Sequence, residues 1–260
     1  MEMCFVAQGL ARAGYTVHVP QLAGHCGTAD DLKATGWADW CASVEEEHDR
    51  LKQTCDLIVV GGLSMGAILA VHHAARHPKD VFALALYAPT LKLDGWGIPW
   101  YSRFFDLVHQ KWFADFFQFA ERDPWGIKDR RLRELVKRAI MSGDSSKAGI
   151  AALPGSLMLE LRWLVEDTKR RVGDVRQPTL VVHPREDDRA SLGNMKYLQS
   201  NLAGLVETVV LEDSYHIVTL DRQRSLVLER TLEFVSRMQN CSPTIGNDDV
   251  ADWLLNSRTD

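Results

Sequence analysis

The chain has 260 residues, of which 46% are hydrophobic and 25% charged, and its formal net charge is −5 at neutral pH. This composition is ordinary for a folded domain, and the negative charge argues against a nucleic-acid-binding surface. The sequence has no apolar run of the ~18 residues that a membrane span needs, so we expect no stable membrane insertion. The five cysteines are odd in number and form no CxxC pair, which predicts reduced thiols in a cytoplasmic protein.

The first ninety residues alternate between helical periodicity and short apolar or β-branched runs. The predicted elements are a helix over residues 1–13, a strand over 15–19, a helical region over 28–53, a strand over 57–60, a helix over 67–77 and a strand over 81–87. The last run is apolar without alternation, as is typical of a parallel strand that is covered on both faces. The order predicts an α/β fold with a mostly parallel sheet flanked by helices.

The junction between the strand at 57–60 and the helix after it carries a functional motif. Gly62, Ser64 and Gly66 form the pattern G-x-S-x-G, which is typical of a nucleophile elbow. The serine is predicted to sit on a strained turn, with Gly62 and Gly66 removing side chains that would collide there. The N–H of Met65, at the start of the helix, is predicted to donate to a developing oxyanion. The alternative is a glycine-rich turn with an incidental serine.

Residues 91–171 interrupt the α/β alternation. They contain five of the eight tryptophans and only helical stretches broken by glycine and proline. We expect a helical cap over 91–171, inserted into a core made of residues 1–90 and 172–240, with a polar tail over 241–260. The cap aromatics are predicted to line an acyl pocket, and a helix lying on a membrane surface is the alternative.

The α/β pattern then resumes and brings three further polar residues. We expect a strand over 179–183, a helix over 194–202, a strand over 207–211, a closing helix over 222–238 and one short helix in the tail over 249–255. Asp187 and Asp188 follow the first of these strands, and His216 lies in the loop after the second. An activated serine needs a base and a group that orients the base, and these arrive in the order Ser, Asp, His in α/β-hydrolases.

The chain resembles a bacterial carboxylesterase of the α/β-hydrolase superfamily, of the monoacylglycerol-lipase-like kind with a small cap. The matching segments are GLSMGA at 62–67, HPREDD at 183–188 and SYHIVTLD at 214–221. The resemblance implies that Ser64 is the nucleophile, His216 the general base and Asp187 the orienting acid, with Asp188 as the rival. It also implies hydrolysis of short- to medium-chain acyl esters or monoglycerides through an acyl-enzyme, without a metal or organic cofactor.

Two features depart from this picture. His73 and His77 have a helical spacing that can bind a metal, but no carboxylate stands at ligand spacing, so we expect no metal site. The family also has an HGF or HGGG loop that supplies a second oxyanion donor, and this sequence has none. We therefore expect the chain to lack about thirty residues or more at its start, including one strand of the sheet. A non-catalytic binding module of the same fold and an acyltransferase stay open as alternatives.

Overall fold

A computed structural model describes residues 2–120, 122–141 and 152–241 of the chain. The strands are β1 (Val59–Leu63), β2 (Ala83–Tyr87), β3 (Gln118–Ala120), β4 (Ala152–Pro154), β5 (Thr179–Pro184) and β6 (Val206–Leu211). The helices are α1 (Cys4–Arg12), α2 (Ala29–Ala34), α3 (Trp37–Lys52), α4 (Met65–Arg76), α5 (Lys111–Ala114), α6 (Arg130–Met141), α7 (Gly155–Arg171), α8 (Leu192–Asn201) and α9 (Arg224–Cys241). Two 3-10 helices cover Trp100–Leu107 and Val172–Asp174.

The centre of the molecule is a four-stranded parallel sheet with the order β1-β2-β5-β6. Its register aligns Leu63 with Tyr87, Tyr87 with Val182, and Pro184 with Leu211. The carboxyl ends of all four strands therefore lie at one edge of the sheet, where open α/β sheets carry their functional groups.

Helices cover both faces of this sheet. On β2, Leu84 and Leu86 pack into a core shared with α3, α4, α7 and α8, while Ala85 and Tyr87 pack into a second core shared with α1 and α9. All residues of β2 and β5 are buried, as expected for parallel strands between two helical layers. The predicted parallel sheet and its flanking helices are confirmed.

The described part of the segment between β2 and β5, where the sequence predicts a helical cap, is mostly helical. It also contains a pair of strands that were not predicted from the sequence. β3 and β4 pair antiparallel, with Phe119 opposite Leu153. Strands of three residues are too short to display an alternating pattern, so the expectation of a segment without strands was wrong. The last helix of the segment, α7, packs on α3 and α4 and adds Leu157 and Leu164 to the core.

Two further expectations change for physical reasons. Residues 15–19 form no strand, because a strand exists only where another pairs with it and none lies beside them in the described chain. The helical region over 28–53 is two helices, because Thr35 and Gly36 are extended and a capping box between Thr28 and Asp31 begins α2 separately. The short helix predicted over 249–255 lies outside the described residues.

All five cysteines are free thiols. Among the helices described here, none is both long and apolar enough to cross a bilayer.

The interface between α3 and α4 buries His48 and His73, and the partly exposed His77 lies beside them. The ring of His73 lies 4.6 Å from that of His48 and 4.4 Å from that of His77, and His73 is almost completely buried. Burial, followed by the nearby charges of His77, His48 and His72, lowers the pKa of His73 to about 3. Burial also lowers the pKa of His48. His73 is therefore neutral in the folded protein near neutral pH.

We predict that this histidine makes the fold sensitive to acid. A histidine in the unfolded chain takes up its proton near pH ~6.5, whereas folded His73 does so near 3. The unfolded state therefore binds more protons between these values, and stability falls as the pH falls, by up to about 1.4 kcal/mol per pH unit for this group. His73→Leu should lose less of its urea midpoint between about pH 7.5 and pH 5 than the wild type does.

The matched control is His109→Leu, because His109 is exposed. That variant should keep the pH dependence of the wild type. An equal loss of the urea midpoint in wild type and His73→Leu would contradict the prediction.

Candidate active site

Ser64 stands on a strained turn between β1 and α4. Its φ is 57° and its ψ −114°, a conformation that a residue with a side chain rarely adopts. The N–H of Ser64 donates to the carbonyl of Tyr87 at 2.9 Å, which ties the turn to the next strand. The turn lifts the Ser64 side chain above the carboxyl edge of the sheet, as the motif predicted.

The two glycines of the motif differ in what they allow. A Cβ atom on Gly62 would lie 2.4 Å from the carbonyl carbon of Gly66, so strand and helix approach too closely for any side chain there. A Cβ atom on Gly66 would meet no atom within 4 Å. The predicted collision holds at Gly62 and was wrong at Gly66, whose contribution is the approach of its backbone to Gly62.

A chain of hydrogen bonds joins the three predicted residues. The Nε2 atom of His216 lies 2.9 Å from the Oγ atom of Ser64. Its Nδ1 atom lies 3.0 and 2.9 Å from the two carboxylate oxygens of Asp187. The tautomer that satisfies both sides carries its proton on Nδ1 and accepts the Ser64 hydroxyl proton at Nε2. His216 and Asp187 are both buried.

The Asp187 carboxylate is held by its own loop. It accepts hydrogen bonds from the N–H groups of Arg189 at 2.8 Å and Ala190 at 2.9 Å. Burial raises the pKa of Asp187, but the charge and hydrogen bond of His216, the charge of His183 and the Ala190 N–H outweigh it, and the pKa lies below its usual value. The group is therefore ionised near neutral pH although it is buried, as orienting the imidazole requires.

Asp188 has a different set of partners. Its carboxylate accepts from the backbone N–H of Gly126 at 3.1 Å and from that of His216 at 3.3 Å. Both of these partners are main-chain groups, so Asp187, and not Asp188, faces the ring of His216. Asp188 fixes the main chain of the histidine loop and connects it to the segment between β2 and β5, where the sequence predicts the cap over 91–171.

Asp221 holds the same loop from the other side, and the sequence did not single it out. Its carboxylate accepts from the N–H groups of Lys128 at 2.8 Å, Asp129 at 2.9 Å and Tyr215 at 2.7 Å. The residue closes the segment 214–221 that carried the resemblance, which is the signal that could have identified it.

Thr90 is a second side chain that the sequence analysis missed. Its Oγ1 atom lies 3.1 Å from the Oγ atom of Ser64, and the residue is buried. It lies three positions after the end of β2, on the loop that leaves the sheet beside the elbow. Loops at the carboxyl edge of neighbouring parallel strands meet, so the position of Thr90 next to the turn after β1 could have been predicted.

The start of α4 offers a donor for negative charge. Met65 is the first residue of α4, and the first N–H groups of a helix have no partner within the helix. These groups and the helix dipole favour an anion at this end. The position of Met65 is the one that the motif predicts for an oxyanion donor.

The cap is attached to the loops that carry these residues. The N–H groups of Gly95 and Gly97 donate to the carbonyls of Arg189 and Asp188, each at 2.9 Å, and the N–H of Ile217 donates to the carbonyl of Gly126 at 2.8 Å. These bonds connect the cap to the acid loop and to the histidine loop. They hold both sides of the site.

No metal ligand set forms in the part of the chain that is described. Within these residues, histidine, cysteine and carboxylate side chains do not gather in groups of three or more that could hold an ion. The rings of His73 and His77 stack on each other at an interplanar angle of 26°, so they do not converge on one point.

Comparisons with known proteins show which family the chain matches. The model of the alpha/beta hydrolase family matches residues 2–229. Thermostable monoacylglycerol lipase from Bacillus sp. (strain H-257) is 29% identical over 233 residues, which cover 89% of this chain and 84% of that protein. Carboxylesterase from Bacillus subtilis (strain 168) is 23% identical over 234 residues, which cover 88% and 84%.

Solved structures of lipolytic enzymes have a similar fold. A structure from work on LipS and LipT, two metagenome-derived lipolytic enzymes, is 26% identical with a TM-score of 0.77, covering 91% of this chain and 88% of its own. Monoacylglycerol lipase from Paleococcus ferrophilus has a TM-score of 0.72 at 13% identity, covering 91% and 89%, and this likeness concerns the fold alone.

We predict that the elbow tolerates a methyl group at one glycine and not at the other. Gly62→Ala should lower the melting temperature by several degrees, because the added Cβ atom meets the backbone of α4. Overpacking costs about 1–3 kcal/mol, and each kcal/mol corresponds to about 2–4 °C for a chain of this size. Gly66→Ala, at a helical position with open space, is the matched control and should melt at or slightly above the temperature of the wild type. Equal melting temperatures for the two variants would refute the close approach at Gly62.

Proposed function

Because this chain belongs to the alpha/beta hydrolase family, we propose that it is a serine carboxylesterase or lipase acting through Ser64, His216 and Asp187. It is a carboxylic-ester hydrolase. The relatives that support this class are named monoacylglycerol lipase, carboxylesterase and lipolytic enzymes. The observation that carries the residue assignment is the unbroken hydrogen-bonded chain from Asp187 through the two nitrogens of His216 to Ser64. That chain supports an enzyme over a non-catalytic binding module.

In the acylation step, the Oγ atom of Ser64 attacks the ester carbonyl carbon while Nε2 of His216 takes the hydroxyl proton. The carbonyl oxygen becomes an oxyanion, and the Met65 N–H donates to it. Asp187 stabilises the imidazolium that forms. The tetrahedral intermediate then collapses, and His216 gives its proton to the departing alcohol, which leaves Ser64 acylated.

In the second step, water replaces the alcohol. His216 removes a proton from a water molecule, which attacks the acyl carbon and forms a second oxyanion at the same donor. Collapse of this intermediate releases the carboxylic acid, and the proton returns from His216 to the Oγ atom of Ser64. The steps use protein side chains and backbone dipoles, and the proposal includes neither a metal nor an organic cofactor.

The proposed substrates are short- to medium-chain acyl esters or monoglycerides. Support comes from the two Bacillus relatives and from large aromatic side chains at the surface of the cap. We call this set the cap aromatic surface; its members are Trp100, Tyr101, Phe104, Trp112, Phe113 and Phe116. Exposed apolar patches of this kind are typical of binding sites for apolar ligands. The free cysteines favour the reducing conditions of the cytoplasm.

We predict that a fluorophosphonate reacts with Ser64 and that three substitutions rank the site residues. Ser64→Ala should abolish the adduct, as mapped by peptide mass, and ester hydrolysis with it. Asp187→Asn should lower kcat by about 10⁴-fold, because an amide stabilises the wrong tautomer of the histidine. Asp188→Asn should cost far less, because within the described chain the hydrogen bonds of the Asp188 carboxylate come from main-chain N–H groups.

The Asp187 and Asp188 variants form a matched pair, since the two positions are adjacent, buried and receive the same substitution. Circular dichroism and the melting temperature establish that each variant is folded. Folded wild type that forms no adduct on Ser64, or full activity in Ser64→Ala, would refute the assignment. A larger loss of kcat in Asp188→Asn than in Asp187→Asn would exchange the roles of the two carboxylates.

We also predict that the cap aromatic surface contributes to binding of longer acyl chains. Trp100 is 74% exposed and lies three residues after Gly97, whose N–H bonds to the acid loop. Trp100→Ser should raise KM about fivefold or more for a medium-chain ester, by loss of apolar contact, and leave KM for an acetyl ester unchanged. Leu205→Ser is the control, because Leu205 is exposed and precedes β6, at the opposite end of the sheet. An equal effect of both variants, or none for Trp100→Ser, would refute the prediction.

A further inference from the structure

Thr90 places a second hydroxyl group at the predicted nucleophile. Its Oγ1 atom lies 3.1 Å from the Oγ atom of Ser64 and 3.2 Å from the carbonyl oxygen of Ala88. The Oγ atom of Ser64 lies on the other side 2.9 Å from Nε2 of His216. The nucleophile is thus placed between a nitrogen that accepts its proton and a hydroxyl group that has a proton to donate.

The number of protons on each hydroxyl group determines whether Thr90 or Ser64 donates in the hydrogen bond between them. A hydroxyl group donates one hydrogen bond and accepts two. When Ser64 donates to His216, its oxygen lone pairs are free to accept, and the O–H of Thr90 can turn from the Ala88 carbonyl to Ser64. Both acceptors lie within hydrogen-bond distance of one Oγ1 atom, so this exchange is a rotation of the hydroxyl group alone.

The loop around Thr90 is fixed in place. Ala88 has a φ of 40°, a strained value for a residue other than glycine, and its N–H donates to the carbonyl of Val182 at 2.8 Å. The N–H groups of Leu91 and Lys92 both donate to the side-chain oxygen of Asn194, each at 2.8 Å. The buried Thr90 is therefore held from both sides against the elbow.

We propose that Thr90 is a catalytic residue, whose hydroxyl donates a hydrogen bond to the Oγ atom of Ser64 as negative charge develops there. This inference rests on the proposed function of Ser64. A hydrogen bond to a charged oxygen is stronger than one to a neutral hydroxyl, so the contact stabilises the transition state more than the resting enzyme.

The same hydrogen bond serves both steps of the reaction. During acylation, the Ser64 oxygen gains negative charge as its proton moves to His216. During hydrolysis of the acyl-enzyme, the same oxygen is the leaving group and again gains negative charge as its bond to the acyl carbon breaks. Thr90 makes and breaks no covalent bond in either step, and its proton stays on its own oxygen. Its effect is therefore on kcat rather than on substrate binding.

The test compares Thr90→Val with Thr90→Ser in the full chain. Valine keeps the shape of threonine and removes the hydroxyl, whereas serine keeps the hydroxyl. We expect Thr90→Val to lower kcat by roughly 10- to 100-fold, the effect of one hydrogen bond to a charged group, with KM unchanged. The rate of covalent labelling by a fluorophosphonate should fall in parallel, and Thr90→Ser should restore most of both rates.

The matched control is Thr168→Val, which removes the buried hydroxyl of a threonine in α7 that donates to the Leu164 carbonyl at 2.7 Å. It should keep the kcat of the wild type. If Thr90→Val fails to fold, Thr90→Ala against Thr90→Ser gives the same comparison without the extra methyl group.

Three results would overturn the inference. They are an unchanged or higher kcat in Thr90→Val, an equal loss of kcat in Thr90→Val and Thr90→Ser, and a loss of kcat in Thr168→Val as large as that in Thr90→Val. Ser64→Ala separates this inference from the proposed function. If Ser64→Ala is inactive and Thr90→Val is fully active, only the role of Thr90 is refuted, whereas an active Ser64→Ala refutes the nucleophile itself.

Discussion

The parallel register of the central sheet is the constraint on which the rest of this structure depends. Residues far apart in sequence meet because β1, β2, β5 and β6 all end at the same edge. The turn after β1 carries Ser64, the loop after β2 carries Thr90, the loop after β5 carries Asp187, and the loop after β6 carries His216. A change of register by one residue would turn each strand's side chains to the opposite face. The buried residues of β2 and β5, which pack into two separate cores, therefore also fix the site.

Three buried carboxylates surround the predicted base, and their partners explain how they coexist. A buried charge is costly unless hydrogen bonds compensate it. Both oxygens of Asp187 lie within hydrogen-bond distance of the ring of His216. In the described chain, Asp188 and Asp221 accept from main-chain N–H groups of the histidine loop and of the predicted cap. One carboxylate thus acts on the imidazole, and the other two fix the main chain that carries it. The orientation of His216 is set by the ring contact and the loop together.

Local signals were sufficient for some parts of the molecule and not for others. The α/β-hydrolase fold was predicted and confirmed, because the elbow motif and the strand runs are contiguous in sequence. The expected strand over 15–19 was wrong because β-branched residues record propensity, whereas a strand needs a partner, which is a non-local property. Thr90 was missed for a related reason. Its neighbour Ser64 is 26 positions away, and no motif joins the two residues.

The proposed function separates the part of the molecule that performs the chemistry from the part that binds the substrate. Ser64 lies on a strained turn, and Ala88 before Thr90 also has a positive φ. The Asp187 carboxylate and the His216 N–H are hydrogen-bonded to groups of the loops around them. The cap is bonded to the same loops through Gly95, Gly97 and Gly126, yet its aromatic surface extends into solvent. In the proposed function, substitutions on that surface alter which acyl chain binds without moving the reacting atoms, since none of its six residues is a hydrogen-bond partner of Ser64, Asp187 or His216 in the described chain. Under this proposal the reaction depends on a few contacts around Ser64, and the choice of substrate depends on side chains that take no part in the reaction.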